Sequence, residues 1–193
     1  VLDTETTGLR AGRHGLTEIY AARTDGFGNV QKEFHSMVNP GRLIPSFITK
    51  LTGITDAMVK DAPPAQEAIG KFDRFVKDDD VLVGHNLRFD LSFLDHERRR
   101  LLRRPFTNEG LCTLLLSRRV FSSDPLPSYR LGTLADHFGI STEGAHRAQK
   151  DVQMTVAVQQ ELYNKLESSG VQERRDVLRL QRLPLAKAAR LFD

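Results

Sequence analysis

The sequence lacks the features that mark secreted and membrane-spanning proteins. Cys112 is its one cysteine, so no disulfide bond can form within the chain. It has no tryptophan, no secretory signal at its start, and no apolar run close to the roughly 20 residues that a membrane-spanning helix needs. These absences argue against a disulfide-stapled fold and against a membrane partner. They fit a reducing compartment, and we expect a cytoplasmic protein.

The length and charge describe one globular domain with a mild preference for polyanions. The 193 residues suit a single domain with an appended tail, and the formal net charge is +3. We expect a domain over residues 1–166 and a basic, leucine-containing tail over residues 167–193, which either packs on the domain or docks a partner. The chain does not begin with methionine, and its first strand starts only two residues before Asp3. We therefore expect further residues before Val1 in the natural protein.

The order of predicted elements is typical of an α/β fold. Three strands joined by short turns begin the chain, with a hairpin turn at Asp25–Gly26 and Gly28–Asn29. Strands and helices then alternate, which favours a mixed sheet flanked by helices. The predicted strands after the first are Thr17–Arg23, Val30–Val38, Val81–Val83 and Leu111–Thr113, and the two main helices are Leu87–Leu102 and Arg147–Leu166.

The stretch Val1–Leu9 is the most informative part of the sequence. Asp3 and Glu5 lie two apart after two apolar residues, and alternate residues of a strand point to the same face. Their carboxylates would repel each other unless a cation lay between them, and oxygen ligands suit a hard divalent cation. The alternative is an exposed acidic strand end followed by a turn at Gly8. A lone Asp-x-Glu pattern does not decide between the two.

Three further residues are candidates for the same site. Asp90 opens the helix after the buried strand, where ligands collect in α/β sheets, although a carboxylate there also complements the helix dipole. His146 and Asp151 are five residues apart, which does not place them on one helical face. We therefore expect His146 on the loop before the long helix and Asp151 in the second turn of that helix. The alternative for His146 is a solvated loop residue.

Three motifs occur in order, and together they resemble those of the DEDDh, or DnaQ-like, 3′–5′ exonucleases, a family that includes proofreading nucleases of bacterial DNA polymerase III. The motifs are Asp3-Thr-Glu5-Thr-Thr-Gly8-Leu, His85-Asn86-x-x-Phe89-Asp90 and His146-Arg-Ala-x-x-Asp151. Supporting segments also resemble the family: Val38-Asn39-Pro40, Thr52-Gly53-Ile54-Thr55 and Leu111-Cys112-Thr113. The resemblance covers about residues 1–165 and implies a ribonuclease H-like fold. That fold has a mixed five-stranded sheet, three strands antiparallel and then parallel strands, flanked by helices.

The resemblance also implies phosphodiester hydrolysis with two metal ions. Asp3, Glu5 and Asp151 would bind two Mg²⁺ or Mn²⁺ ions, with Asp90 completing the acidic ring and His146 acting as general base. Two cations roughly 3.5–4 Å apart suit this chemistry because they neutralise the phosphate, and histidine titrates near neutral pH. The residues implied to contact the substrate are Thr6, Thr7, Gly8, Leu9, His85, Asn86 and Phe89.

The implied substrate is a single-stranded nucleic acid with a free 3′ end, from which 5′-mononucleotides are released. The first motif resembles the DNA-polymerase-associated members most, which favours DNA, while RNA and end trimming other than proofreading stay open. By the same resemblance, residues 167–193 would dock a DNA polymerase or a sliding clamp. Two other interpretations are a non-catalytic nucleic-acid-binding module and a phosphatase with an aspartyl nucleophile. The phosphatase leaves His146 and Asp151 without a role.

Overall fold

The computed structural model describes residues 1–25 and 28–192, which form five strands and nine helices. In chain order these are β1 (Leu2–Thr6), β2 (Leu16–Thr24), β3 (Val30–Met37), α1 (Ser46–Thr52), α2 (Asp56–Val59), α3 (Ala65–Phe75), β4 (Leu82–Gly84), α4 (Leu87–Leu102), β5 (Gly110–Cys112), α5 (Thr113–Val120), α6 (Leu131–His137), α7 (Ala148–Ser168), α8 (Arg174–Leu180) and α9 (Leu185–Ala189). The predicted hairpin turn falls partly on Gly26, which lies outside the described residues. None of the nine helices in this part of the chain is both long and apolar enough to span a membrane.

The strands form two hydrogen-bonded groups in the part of the chain that the structure describes. β1, β2 and β3 are antiparallel in that order, and β4 pairs with β5 in parallel. β4 passes close to β1, because a Cβ added to Gly84 would lie 3.3 Å from the carbonyl oxygen of Leu2. The strand count and directions therefore agree with the prediction, but the expected single sheet is interrupted between β1 and β4.

A side chain of α4 forms hydrogen bonds with the middle of β1, the strand that borders the interruption. The backbone N–H of Thr4 donates to Oδ1 of Asp90 at 3.0 Å rather than to a neighbouring strand. The hydroxyl of Thr4 donates to the same oxygen at 2.8 Å. A carboxylate from the first turn of α4 thus replaces a strand-to-strand hydrogen bond and ties that helix to the strand that carries Asp3 and Glu5.

Helices cover both faces of the antiparallel strands, as predicted. Ile19 and Ala21 of β2 pack in the cluster that contains Phe72 of α3. Tyr20 and Ala22 point the other way and pack against α7. Because both faces of β2 are buried, its apolar residues do not simply alternate with polar ones, and Ile19 to Ala22 form four consecutive apolar positions. This packing places the N-terminal end of α7 over the first two strands.

The main helices begin and end close to their predicted bounds. α4 covers the predicted Leu87–Leu102, preceded by Asn86 in the left-handed region with φ of 66°. Basic side chains in its last turn, Arg99 and Arg100, complement the helix dipole. α7 covers Ala148–Ser168, so it begins one residue later than predicted.

The C-terminal segment packs on the rest of the chain, which is one of the two alternatives that the sequence left open. Leu180 of α8 and Ala188 of α9 are buried in the cluster that also contains residues of α5, α6 and α7. Leu185 and Leu191 remain about half exposed, at 51% and 48%. Burial of α8 and α9 therefore leaves part of their apolar surface open to solvent.

Gln181, directly after α8, closes the edge of the parallel strands. Its side-chain amide donates to the carbonyl oxygen of Gly110 at 2.7 Å and accepts the N–H of Cys112 at 2.9 Å. This pair of bonds is the pattern that a neighbouring strand would offer. The 3% exposed side chain of Gln181 thus takes the place of a strand beside β5.

Candidate active site

Strand β1 and helix α7 bring three carboxylates together. Asp3 and Glu5 alternate with buried residues along β1, so their side chains leave the same face of the strand. Asp151 lies in the first turn of α7, which packs against β1 and β2. One oxygen from each of the three carboxylates lies within 4.8 Å of the others. The structure thus joins residues that are almost 150 positions apart in the sequence.

Asp90 lies next to this group and is fixed by its two hydrogen bonds from Thr4. Its side chain is buried, with 2% of the residue exposed. Burial raises the pKa of Asp90 to about 7, although the hydrogen bonds from Thr4 favour the ionised form. The charge of Asp90 acts in turn on Asp3, so the four acidic residues of the predicted site form one electrostatic unit.

The three clustered carboxylates all hold protons more tightly than free carboxyl groups do. Burial, with the charges of Asp90 and Glu5, raises the pKa of Asp3 well above its ordinary value. Burial and the charge of Asp151 raise the pKa of Glu5 to about 8. Burial also raises the pKa of Asp151. Such a group is costly to ionise without a compensating positive charge, so it suits a cation.

His146 is exposed on the loop before α7, as the sequence predicted. Its φ of 67° lies in the left-handed region, which residues other than glycine rarely adopt. The backbone N–H of His146 donates to Oδ1 of Asp151 at 3.2 Å. Asp151 lies in the first turn of the helix rather than in the predicted second turn, because α7 begins only at Ala148. The loop and the carboxylate cluster are therefore in direct contact.

The loop after β1 presents Leu9 to solvent while the residues before it are buried. The hydroxyl of Thr6 donates to the carbonyl oxygen of Gly8 at 2.7 Å, and the hydroxyl of Thr7 accepts the N–H of Gly15 at 3.0 Å. A Cβ at Gly8 would lie 2.4 Å from the ring of His14, so any side chain there would displace that ring. Both threonine hydroxyls thus hold the loop, and the side chain available to a ligand is that of Leu9, 80% exposed.

The side chain of His85 is engaged within the protein. Its Nε2 lies 2.9 Å from the carbonyl oxygen of Tyr129, and its Nδ1 lies 2.9 Å from the hydroxyl of Thr113. Since a carbonyl only accepts, Nε2 carries the proton and Nδ1 accepts from Thr113. Burial lowers the pKa of His85 to about 4, so the ring is neutral at neutral pH.

The other two candidates from the second motif lie on either side of the start of α4. Asn86 is exposed immediately before the helix. Phe89 is partly buried, and its ring centre lies 5.2 Å from that of Phe93. Asn86 is therefore open to a ligand, whereas Phe89 offers only part of its ring.

Comparison with known proteins agrees with this arrangement. A model of the family described as RNase_T: Exonuclease matches residues 1–159. The chain belongs to this exonuclease family. DNA polymerase III subunit epsilon of Aquifex aeolicus (strain VF5) is 37% identical over 158 residues, which cover 82% of this chain and 76% of the relative.

Two further matches support the assignment. A putative bifunctional exonuclease/endonuclease protein of Mycobacterium tuberculosis (strain CDC 1551 / Oshkosh) is 41% identical over 177 residues, but these make up only 27% of its length and 89% of this chain. The solved structure of exonuclease X in complex with 5′ overhanging duplex DNA is 26% identical, with a TM-score of 0.68 over 92% of this chain and 97% of that one. The enzyme is thus a DnaQ-like 3′–5′ exonuclease with the predicted α/β fold.

The exonuclease also has a charged residue near its site that the motifs did not indicate. Glu18 of β2 lies directly opposite Glu5 in the strand register, and its side chain is 1% exposed. Burial alone would raise the pKa of Glu18, but hydrogen bonds from Arg147 and His35 outweigh it and hold the pKa below its ordinary value. The available signal in the sequence was that Glu18 is the one charged residue in the mostly apolar stretch Leu16–Ala22.

Proposed function

We propose that the exonuclease removes 5′-mononucleotides from single-stranded 3′ ends, DNA in preference to RNA, by metal-dependent hydrolysis with His146 as general base. The observation that carries this proposal is the group of carboxylate oxygens from Asp3, Glu5 and Asp151 within 4.8 Å of one another. The exposed His146 loop is bonded to the same Asp151.

The donor set fits two hard divalent cations, Mg²⁺ or Mn²⁺. All of its ligand atoms are carboxylate oxygens, which these ions prefer. Asp3, Glu5 and Asp151 would hold the ions directly, and the buried Asp90 would complete the acidic ring. When bound, the ions would neutralise the phosphate and lower the pKa of a water molecule.

The residues of the chain then have separate tasks. His146 would accept a proton from the attacking water, since it is exposed beside Asp151 and its imidazole is free to approach a substrate. Leu9 would pack against the terminal bases, while Thr6, Thr7 and Gly8 shape the loop that holds the terminal nucleotide. His85, Asn86 and Phe89 would support the substrate from the start of α4.

The polymerase-associated relatives motivate the biological part of the proposal. We assign a proofreading role in DNA replication, in the cytoplasm, because one relative is named as the epsilon subunit of DNA polymerase III. Residues 1–166 would carry catalysis. The open apolar surface of residues 167–192, which includes Leu185 and Leu191, would dock a DNA polymerase or a sliding clamp.

A four-substrate comparison tests this function. DNA and RNA oligonucleotides of matched sequence, each with a free or a chemically blocked 3′ end, are incubated with Mg²⁺ and the products are separated by length. We expect stepwise shortening of the free-ended DNA, slower shortening of RNA, and no shortening of blocked ends. Faster shortening of RNA would favour an exoribonuclease, and binding without shortening of any substrate would favour a non-catalytic module.

A further inference from the structure

The junction between the His146 loop and α7 needs an external anchor. His146 is held with φ of 67°, a backbone conformation that L-residues other than glycine adopt with difficulty. The bond from its N–H to Asp151 fixes one side of the loop. The two residues that follow, Arg147 and Ala148, begin the helix and determine where the imidazole and the Asp151 carboxylate lie relative to each other.

Glu18 holds both of these residues. Nε of Arg147 donates to Oε2 of Glu18 at 3.2 Å, and Nη2 donates to Oε1 at 3.0 Å. The backbone N–H of Ala148 donates to Oε2 at 3.3 Å. His35 of β3 contacts the same carboxylate from the other side, with Nε2 2.9 Å from Oε1. One buried carboxylate thus connects the sheet to the start of α7.

The pairing of β2 with β1 determines where the Glu18 side chain lies. Glu18 lies opposite Glu5, and side chains of directly opposed residues in an antiparallel pair point to the same face. The Glu18 carboxylate therefore lies beside the carboxylate cluster, but its oxygens are hydrogen-bonded by Arg147, Ala148 and His35. A second carboxylate facing Glu5 would be unfavourable if it did not have such partners.

We propose that Glu18 is a positioning residue for the hydrolysis, and that it acts by clamping Arg147 and Ala148 so that His146 is held in line with the Asp151 cluster. This inference rests on the proposed role of His146 as general base. Glu18 itself touches neither substrate nor reacting atoms. A displacement of about 1 Å at a catalytic group can lower turnover about 100-fold.

The first experiment compares two single variants, their double variant and a control by steady-state kinetics on single-stranded DNA. Glu18→Gln keeps the side-chain shape but removes the charge that pairs with Arg147, and Arg147→Gln removes the partner. Each should lower kcat about 10- to 100-fold with little change in KM, and the double variant should be no worse than either single one. Arg100→Gln is the matched control, because it removes an exposed arginine that pairs with Glu97 on α4 and contacts neither Glu18 nor the His146 loop, and it should keep wild-type kcat.

The second experiment separates positioning from a general structural effect. In a His146→Ala background, Glu18→Gln should cause no further loss of kcat, since there is no imidazole left to position. An equal loss of kcat in both backgrounds would contradict the positioning role of Glu18. An unchanged kcat for the single variant Glu18→Gln would contradict it as well. If His146→Ala alone keeps wild-type turnover, the proposed general base fails instead.

Folding is checked separately for each variant. Mn²⁺ binding, measured by calorimetry, should be retained by Glu18→Gln, since the three clustered carboxylates are unchanged. Arg147→Gln leaves the buried Glu18 without its cation, so its folding is checked by thermal unfolding. Arg147→Lys, which keeps a cation beside Glu18 but loses the two-pronged hydrogen bonding, is the second variant if Arg147→Gln does not fold. A normally folded Arg147→Gln protein with wild-type kcat would contradict the proposal whatever Glu18→Gln does.

Discussion

At the scale of single residues, His146 is the most direct test of the mechanism. Its loop position leaves the metal-binding carboxylates untouched when its side chain is removed. We expect His146→Ala to bind Mn²⁺ almost normally but to lower kcat on the order of 10²–10⁴-fold, the usual contribution of a general base. Steady-state kinetics at saturating Mn²⁺ check this, and wild-type turnover of His146→Ala would assign the base elsewhere.

Glu5 gives a prediction about the stability of the metal-free enzyme. Its pKa is raised from 4.5 to about 8 by burial and the charge of Asp151. Between these values the folded state binds more protons than the unfolded chain, so this residue makes stability fall as pH rises. We expect Glu5→Gln to raise the Tm of the metal-free protein, with a difference from wild type that grows between about pH 5 and 8.

The control for that prediction is the cation itself. Added Mg²⁺ should stabilise the wild-type protein at pH 8, because it binds only the folded site, and should stabilise Glu5→Gln less. Thermal unfolding in buffer with EDTA or Mg²⁺ measures both. A Glu5→Gln protein that is less stable than wild type at pH 8 without metal would show that the carboxylates are compensated in some other way.

At the scale of elements, α4 was predictable because its signals are local. The exit turn at His85–Asn86, the apolar spacing and the basic end all lie within or beside Leu87–Leu102. The hydrogen bond between Thr4 and Asp90 beside the break between β1 and β4 was not predictable, because these residues are 86 positions apart in the sequence. The role of Gln181 at the edge of β5 likewise depends on a contact over about 70 residues.

The packing of α8 gives a prediction at the same scale. Leu180 is 1% exposed within the shared core cluster, whereas Leu185 is 51% exposed. We expect Leu180→Ala to lower the free energy of unfolding by about 2–5 kcal/mol and Leu185→Ala by no more than about 0.5 kcal/mol. Urea denaturation measures both. Equal, small effects would mean that α8 is dispensable for the domain, and truncation after Gly170 would then leave a stable protein.

At the scale of the whole molecule, the sequence predicted a candidate site, and the fold brings the carboxylates of Asp3, Glu5 and Asp151 together. Asp3, Glu5, Asp90, His146 and Asp151 stand in three recognisable motifs, whose residue types and order were sufficient to propose them as one site. Their proximity could not be calculated from spacing, because it arises where helices cover both faces of the antiparallel strands. Glu18 was missed because no motif includes it and because its position opposite Glu5 depends on how β1 pairs with β2.

Glu18 is therefore a residue that sequence motifs alone do not identify. A charged residue within a strand buried on both faces must have partners, and this rule is enough to single out Glu18 within its mostly apolar stretch. The identity of those partners, Arg147 and Ala148, depends on the fold. Residues that hold a catalytic loop from a distant strand are accordingly the ones that sequence motifs identify least well.

The central claim is that the cluster of Asp3, Glu5 and Asp151 makes this chain a metal-dependent exonuclease, and one measurement tests it most directly. Single-stranded DNA labelled at its 5′ end is mixed with the wild-type protein or with Asp151→Asn, in Mg²⁺ or in EDTA, and the lengths of the labelled products are followed over time. We expect a ladder shortening from the 3′ end only for the wild type in Mg²⁺. Shortening in EDTA, or by Asp151→Asn at the wild-type rate, would contradict the account.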